Sequence, residues 1–182
     1  EYITGSVAII FTAKYFNSDF ADTINTVLDD GLRTELDNAA NAITIPTPPT
    51  EGDPIVMQET SDINLQGIRD SMSAYLGKLA MSATRTYAIL DGKTADLLYS
   101  SVTANSIEIT PTVSLALDGK ESCSNGITAE YMDYGLPLGT SGNVKYILYI
   151  HDTKAVAKNV LKTIMLVWIF VMIGSAVLAL LV

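Results

Sequence analysis

Hydrophobic positions recur along this chain at intervals that change from segment to segment, and each change marks an element boundary. From Lys14 to Ile43 the interval is helical. Phe16, Phe20, Ile24, Val27, Leu28, Leu32, Leu36, Ala39, Ala40 and Ile43 return every three or four residues, with Asp19, Asp22, Asp29, Asp30, Glu35 and Asp37 between them. A helix of this length suggests a membrane-proximal stalk able to pair with a copy of itself. Gly31 inside it is expected to cost about 1 kcal/mol relative to alanine. The pattern then fails across residues 43–63, where Pro46, Pro48, Pro49 and Pro54 with Gly52 forbid both regular helix and central strand. This is an exposed loop. A second helix follows, with Asp62 as N-cap and Leu65, Ile68, Met72, Tyr75, Leu76 and Leu79 as its apolar stripe.

Beyond it the period drops to two. Arg85–Leu90 and Ala95–Ser100 face each other across Asp91-Gly92, a pair with the chemistry of a tight hairpin turn at positive φ. Thr110-Pro111 opens a short helix over 111–117, with Thr110 as N-cap, Pro111 at the first helical position and Gly119 as terminator. Lys120–Gly126 reads as a polar loop carrying Cys123. Two further strands, Ile127–Leu138 and Val144–His151, are joined through 139–143. Tyr146–Ile150 is apolar at every position, as in a strand covered on both faces. The expected fold is therefore α+β: an antiparallel sheet packed on a long N-terminal helix.

The chain closes on Thr163–Val182, an uncharged apolar run. At about 1.5 Å per residue, it spans a hydrocarbon core of roughly 30 Å as a single helix. Asp152 or Thr153 is expected to cap a helix running from the sheet into this segment without interruption. Lys154, Lys158 and Lys162 would share one side of that helix, where long cationic side chains snorkel. Ile3–Ala13 is also apolar but too short to span. It reads as the outer end of a first transmembrane helix, with an interfacial or packed helix start as the alternative. Two such segments would return both ends of residues 14–152 to one membrane face, leaving 153–182 as the juxtamembrane and second membrane helix.

The formal net charge of −9 would repel phosphates, so nucleic acid is not an expected partner. The single cysteine excludes an internal disulfide and a cysteine-based metal cluster, and no cofactor is implied. No Gly-x-Ser-x-Gly elbow is present, and Asp29/Asp30 belong to a solvated helix face. His151, the only histidine, would end a strand and could titrate near neutral pH. Glu108, Glu121, Glu130 and Asp133 gather in the distal sheet and loops, but with no oxygen-ligand loop spacing. The tyrosines are more informative. Tyr87, Tyr99 and Tyr131, with Arg85 and Asp133, are candidate ligand-binding residues, because aromatic bodies with polar tips suit a small-molecule cavity. They suit a packed sheet core as well. By strand parity Tyr131 and Asp133 share a face while Tyr134 points to the other, so the tyrosines cannot all line one pocket.

Three segments carry a family resemblance: Tyr87-Ala88-Ile89-Leu90-Asp91-Gly92-Lys93-Thr94 with Leu98-Tyr99-Ser100-Ser101, Ile107-Glu108-Ile109-Thr110-Pro111, and Tyr131-Met132-Asp133-Tyr134-Gly135-Leu136-Pro137 with Tyr146 to Lys154. From about Ser82 onward the chain resembles the extracytoplasmic sensor region of clostridial-type sensor histidine kinases. It departs where Ala95 stands in place of the glycine usual after Thr94, and where Thr112 replaces the asparagine common after the proline. The resemblance implies a PAS-like or Cache-like domain held between two membrane helices at a bacterial cell membrane. Residues 14–152 would lie outside the cell, in a homodimer responding to an extracellular small molecule or envelope component. It also implies a kinase that is not in this chain, which shows no phosphate loop or phosphoacceptor signature and is not expected to be an enzyme. A membrane-anchored binding ectodomain, or the sensor of a chemoreceptor or cyclase, are the alternatives. Lys158 and Lys162 flank the outer end in this orientation, against the usual excess of cations inside.

Overall fold

The computed structural model describes residues 2–42, 60–140 and 142–181. Its element order is α1 (Tyr2–Val27), a wide π-type turn (Leu28–Leu32), α2 (Arg33–Ala40), α3 (Thr60–Tyr75), β1 (Arg85–Asp91), β2 (Leu97–Ser100), α4 (Pro111–Leu117), β3 (Ser122–Ser124), β4 (Met132–Thr140), β5 (Asn143–Asp152) and α5 (Ala155–Leu181). The proline-rich stretch falls largely outside the described residues.

The stalk pattern folds as two helices, not one. Gly31 adopts φ +117°, a conformation closed to other residues in practice, and the chain kinks there. The kink returns α2 antiparallel to α3. Asn64 Nδ2 donates to the Ala40 carbonyl at 3.1 Å, the Tyr75 hydroxyl to Glu35 at 2.8 Å, and Gly67 lies against Ala39. Helix α3 begins at Thr60, so Asp62 lies within it and not at its cap.

The five strands form one antiparallel sheet in the order β2-β1-β5-β4-β3. Parity divides their side chains between two cores. Tyr87, Ile89, Met132, Tyr134, Leu136, Leu138, Tyr146, Leu148 and Ile150 face the helices, against Phe20, Ile24, Leu28, Leu32, Leu36, Ile68 and Met72. Ala88, Leu90, Ile147 and Tyr149 face the other way, against Val113 and Ala116 of α4. Strand β5 is thus covered on both faces, as its unbroken apolar run requires. Gly135 lets α4 sit close, since a Cβ there would lie 3.0 Å from the Thr112 carbonyl and 3.3 Å from Ala116 Cβ. Helix α4 has the expected boundaries: Thr110 Oγ1 accepts from Val113 N at 3.2 Å, and Gly119, at φ +74°, ends it.

Three local expectations are corrected. The β1–β2 connection is longer than a two-residue turn. The Asp91 carboxylate accepts from the backbone N–H of Lys93 (2.8 Å) and Thr94 (3.0 Å), and the left-handed residue is Ala95 (φ +61°). Gly92 is needed for space, because a Cβ there would be 2.5 Å from the Val144 carbonyl oxygen. The polar loop at 120–126 contains a short edge strand, β3, paired with Asp133–Gly135. Strand β4 begins at Met132, because Gly126–Ala129 form a turn closed by a 3.1 Å backbone bond.

Helix α5 does not continue smoothly from the sheet. Lys154 adopts φ +57°, and its carbonyl accepts the first helical bond from Lys158 N at 2.8 Å. It is the capping residue, so its side chain does not join Lys158 and Lys162. Instead it is buried, with Nζ donating to the carbonyls of Gly126 (2.6 Å) and Ala129 (2.9 Å). Asp152 Oδ1 holds the Lys154 N–H at 2.7 Å, and Thr153 N donates to the Thr84 carbonyl. The junction is a fixed elbow. Beyond it, Ala155–Leu180 is the one helix among the described residues long and apolar enough to cross a membrane. None of its most apolar window is covered by the domain. Helix α1 packs against α5, and Val7, Ile10 and Phe11, within the apolar Ile3–Ala13 stretch of α1, are exposed.

Candidate ligand-binding site

The five residues singled out in the sequence do not meet in one place. Arg85, Tyr87 and Tyr99 belong to the helix-covered face. Arg85 is buried, with Nε 2.8 Å from Asp152 Oδ2 and a second nitrogen donating to the Leu79 carbonyl at 3.1 Å, above the Phe20 ring. A guanidinium held by a carboxylate, a carbonyl and an aromatic face is a structural group. Tyr99, opposite Ile89 in the ladder, stacks on Tyr87 at 5.6 Å and lies beneath the Arg69 guanidinium at 4.3 Å. Burial and this neighbour hold the Tyr87 phenol well above its ordinary pKa. Tyr131 and Asp133 are on the opposite face, as parity requires.

That opposite face holds a cavity of about 210 Å3. Its floor is the sheet: Thr86 and Ala88 of β1, Ser100 of β2, and Tyr149 and His151 of β5. Tyr131 and the segment leading into α4, with Ile107, Glu108 and Thr110, form the walls. Tyr87 contributes to the lining from the same stretch of β1, although its ring packs on the helix side. The three rings are grouped. His151 lies 5.1 Å from Tyr131 and 6.3 Å from Tyr149 between centroids. Beneath them Asp133 is almost wholly buried, accepting from Thr112 Oγ1 at 2.9 Å and from the Tyr149 hydroxyl at 3.1 Å. Neither of the ion pairs among the described residues includes Asp133 or Glu108.

The electrostatics have one sign. The Tyr131 phenol is raised by desolvation, then by the charges of Asp133, Glu108 and Glu130. The Tyr149 phenol is raised by burial and then by Asp133. No lysine or arginine lines the cavity. The acidic cluster noted in the sequence is dispersed. Glu121 lies on the helix side in a bidentate pair with Arg33 (2.8 and 3.0 Å), next to the Tyr134 hydroxyl, while Glu108 and Asp133 serve the cavity. Among the described residues no group of three metal-ligating side chains forms.

His151 makes only ring contacts among the described residues, and the Ser100 hydroxyl is engaged by Val102 N at 3.3 Å. The arrangement brings aromatic faces, hydroxyls and carboxylates together around a small void. Sequence reasoning missed Tyr149, and it treated His151 as a strand end. Both share a face with Tyr131, but only the β4–β5 register, which pairs Asp133 with His151 and Gly135 with Tyr149, reveals it. No family model matches the chain, and no curated protein is significantly similar to it in sequence.

Proposed function

We propose that this chain is the extracytoplasmic, PAS-like or Cache-like input region of a membrane-bound sensor histidine kinase. It binds a small extracellular molecule and passes the event through α5 to a cytoplasmic kinase, catalysing nothing itself. In this reading residues 14–152 lie outside a bacterial cell membrane, Ile3–Ala13 is the outer end of a first membrane helix, and the protein acts as a homodimer. The observation that carries the reading is the position of β5. One strand supplies Tyr149 and His151 to the cavity and, through Asp152 and the Lys154 elbow, leads directly into the apolar helix. A ligand with different affinities for two arrangements of the cavity wall would shift the balance between two arrangements of α5, and by no more than that difference. The sequence resemblance and the central place of β5 in the sheet support the family assignment. Arg85 and Tyr99 take no direct part in binding here, and Tyr87 contributes only to the cavity wall. Tyr131 lines the site, and Asp133 stands behind it.

The test is Lys158→Pro in the complete receptor. Proline at 158 removes the Lys158 N to Lys154 O bond and disrupts the first turn of α5. A reporter response that disappears while the outer domain keeps its unfolding midpoint is the expected result. An unaltered response would refute mechanical transmission through the first turn of α5.

A further inference from the structure

We infer that the cavity on the α4 side of the sheet is a binding site for a small organic cation, an ammonium compound held by Glu108 and by the rings of Tyr131 and Tyr149. This rests on the input-module reading and adds the chemical class of its ligand. Three observations converge. The void is lined by aromatic rings, and tyrosine faces attract a cation positioned over them. The charges around it are carboxylates: Glu108 in the wall without an ion-pair partner among the described residues, and Asp133 buried behind Tyr149 with hydroxyl donors only. No lysine or arginine lines the cavity, and four of the cations have partners elsewhere. Arg85 is committed to Asp152 on the far face, Lys154 to the 126–129 turn, Arg33 to Glu121 and Arg69 to Tyr99.

An anion entering this site would meet Glu108 and the field of Asp133 with no counter-charge. A neutral ligand would leave that field unused. A cation satisfies both. At about 210 Å3 the space is below the roughly 300–1,000 Å3 typical of pockets for drug-sized ligands, so the guest is small. Burial is the first cause of the raised phenols of Tyr131 and Tyr149, but the second agrees with the assignment, because the carboxylate charge that disfavours phenolate favours a positive charge at the same place.

The sole histidine makes the test direct. His151 lies in the cavity, so in the full chain, reconstituted in lipid nanodiscs with ring-labelled histidine, its signal needs no assignment. Choline should shift this signal saturably. Its uncharged carbon analogue dimethylbutanol should bind at least about tenfold more weakly, and glutarate should not bind. Glu108→Gln should weaken choline toward the dimethylbutanol value and leave dimethylbutanol unchanged. Glu108 is exposed at the rim, so this variant keeps the fold. Equal affinity for choline and dimethylbutanol, or preference for glutarate, overturns the cation assignment while leaving a ligand pocket standing. No shift with any of the three probes overturns the cation assignment, while the Lys158→Pro reporter response tests the input-module reading separately.

Discussion

Single residues with left-handed backbone tie local chemistry to the larger geometry. Ala95 and Lys154 both have φ near +60°, which costs an L residue roughly 1–2 kcal/mol. At Lys154 the strain is offset by three bonds that fix the exit of α5: Asp152 Oδ1 to its own N–H, and its Nζ to two carbonyls. The same burial, with the Lys158 charge, lowers the Lys154 pKa against the opposing pull of Asp152. At Ala95 the side chain contributes only peripheral packing against the α4-side core. Ala95→Gly is therefore expected to stabilise the domain by about 0.5–1 kcal/mol, the released strain less the extra freedom glycine gives the unfolded chain. A higher midpoint in urea at unchanged slope is the measurement. An unchanged or lower midpoint would show that the turn relaxes around alanine.

Among the elements, the bend after α1 decides how the helical layer is built. Residues 14–43 have one continuous apolar period, and Phe20, Ile24, Leu28, Leu32 and Leu36 are all buried as that period requires. Yet the element is broken, because Gly31 turns the chain so that α2 meets α3. Hydrophobic spacing reports which face is buried and says little about direction, so a kink that preserves the stripe is invisible in it. A glycine flanked by Asp29-Asp30 and Leu32 was the available signal. Gly31→Ala is expected to destabilise by about 1–3 kcal/mol, measured by chemical unfolding, since alanine cannot hold φ +117° without strain. If alanine is tolerated within about 0.5 kcal/mol, the kink is not fixed by this residue.

Elsewhere the element pattern was legible where chemistry is local. Thr110-Pro111 and Gly119 delimit α4, and Tyr146–Ile150 announces a strand covered on both sides. It was not legible where meaning depends on register. Ser122–Ser124 becomes a strand only because β4 offers it an edge, and the cavity becomes visible only when β5 is set beside β4 and β1. Of the five residues picked for ligand binding, parity alone placed Tyr131 and Asp133 together. Nothing in the sequence said that Arg85 would be taken by Asp152.

For the whole molecule, the helical layer is tied to the sheet by a polar cluster in which Arg33 pairs with Glu121, and the Tyr134 hydroxyl donates to Glu121 with Asn25 Oδ1 3.0 Å away. The hydrogen bond from Arg33, then that from Tyr134, holds the Glu121 carboxyl below its ordinary range against the opposing effect of burial. A depressed carboxylate contributes stability that is present above the ordinary pKa of about 4.3 and is lost as pH falls through the folded value. Both partners are more than a third exposed, so solvent screening limits the contribution to about 0.5–1 kcal/mol. Glu121→Gln should lose that amount at neutral pH and converge with the unsubstituted protein only once the pH falls below the depressed Glu121 pKa, as followed by urea midpoints across the acid range. A gap that persists in acid would assign the loss to packing instead of charge.

The place of β5 has a mechanical consequence as well. Tension arriving along α5 enters the sheet at a strand hydrogen-bonded on both sides along most of its length, while the short outer strands β2 and β3 each have one neighbour. Under a sideways pull along that helix the periphery would peel first and the anchor point last. The body would stay attached to its root even when its rim has frayed.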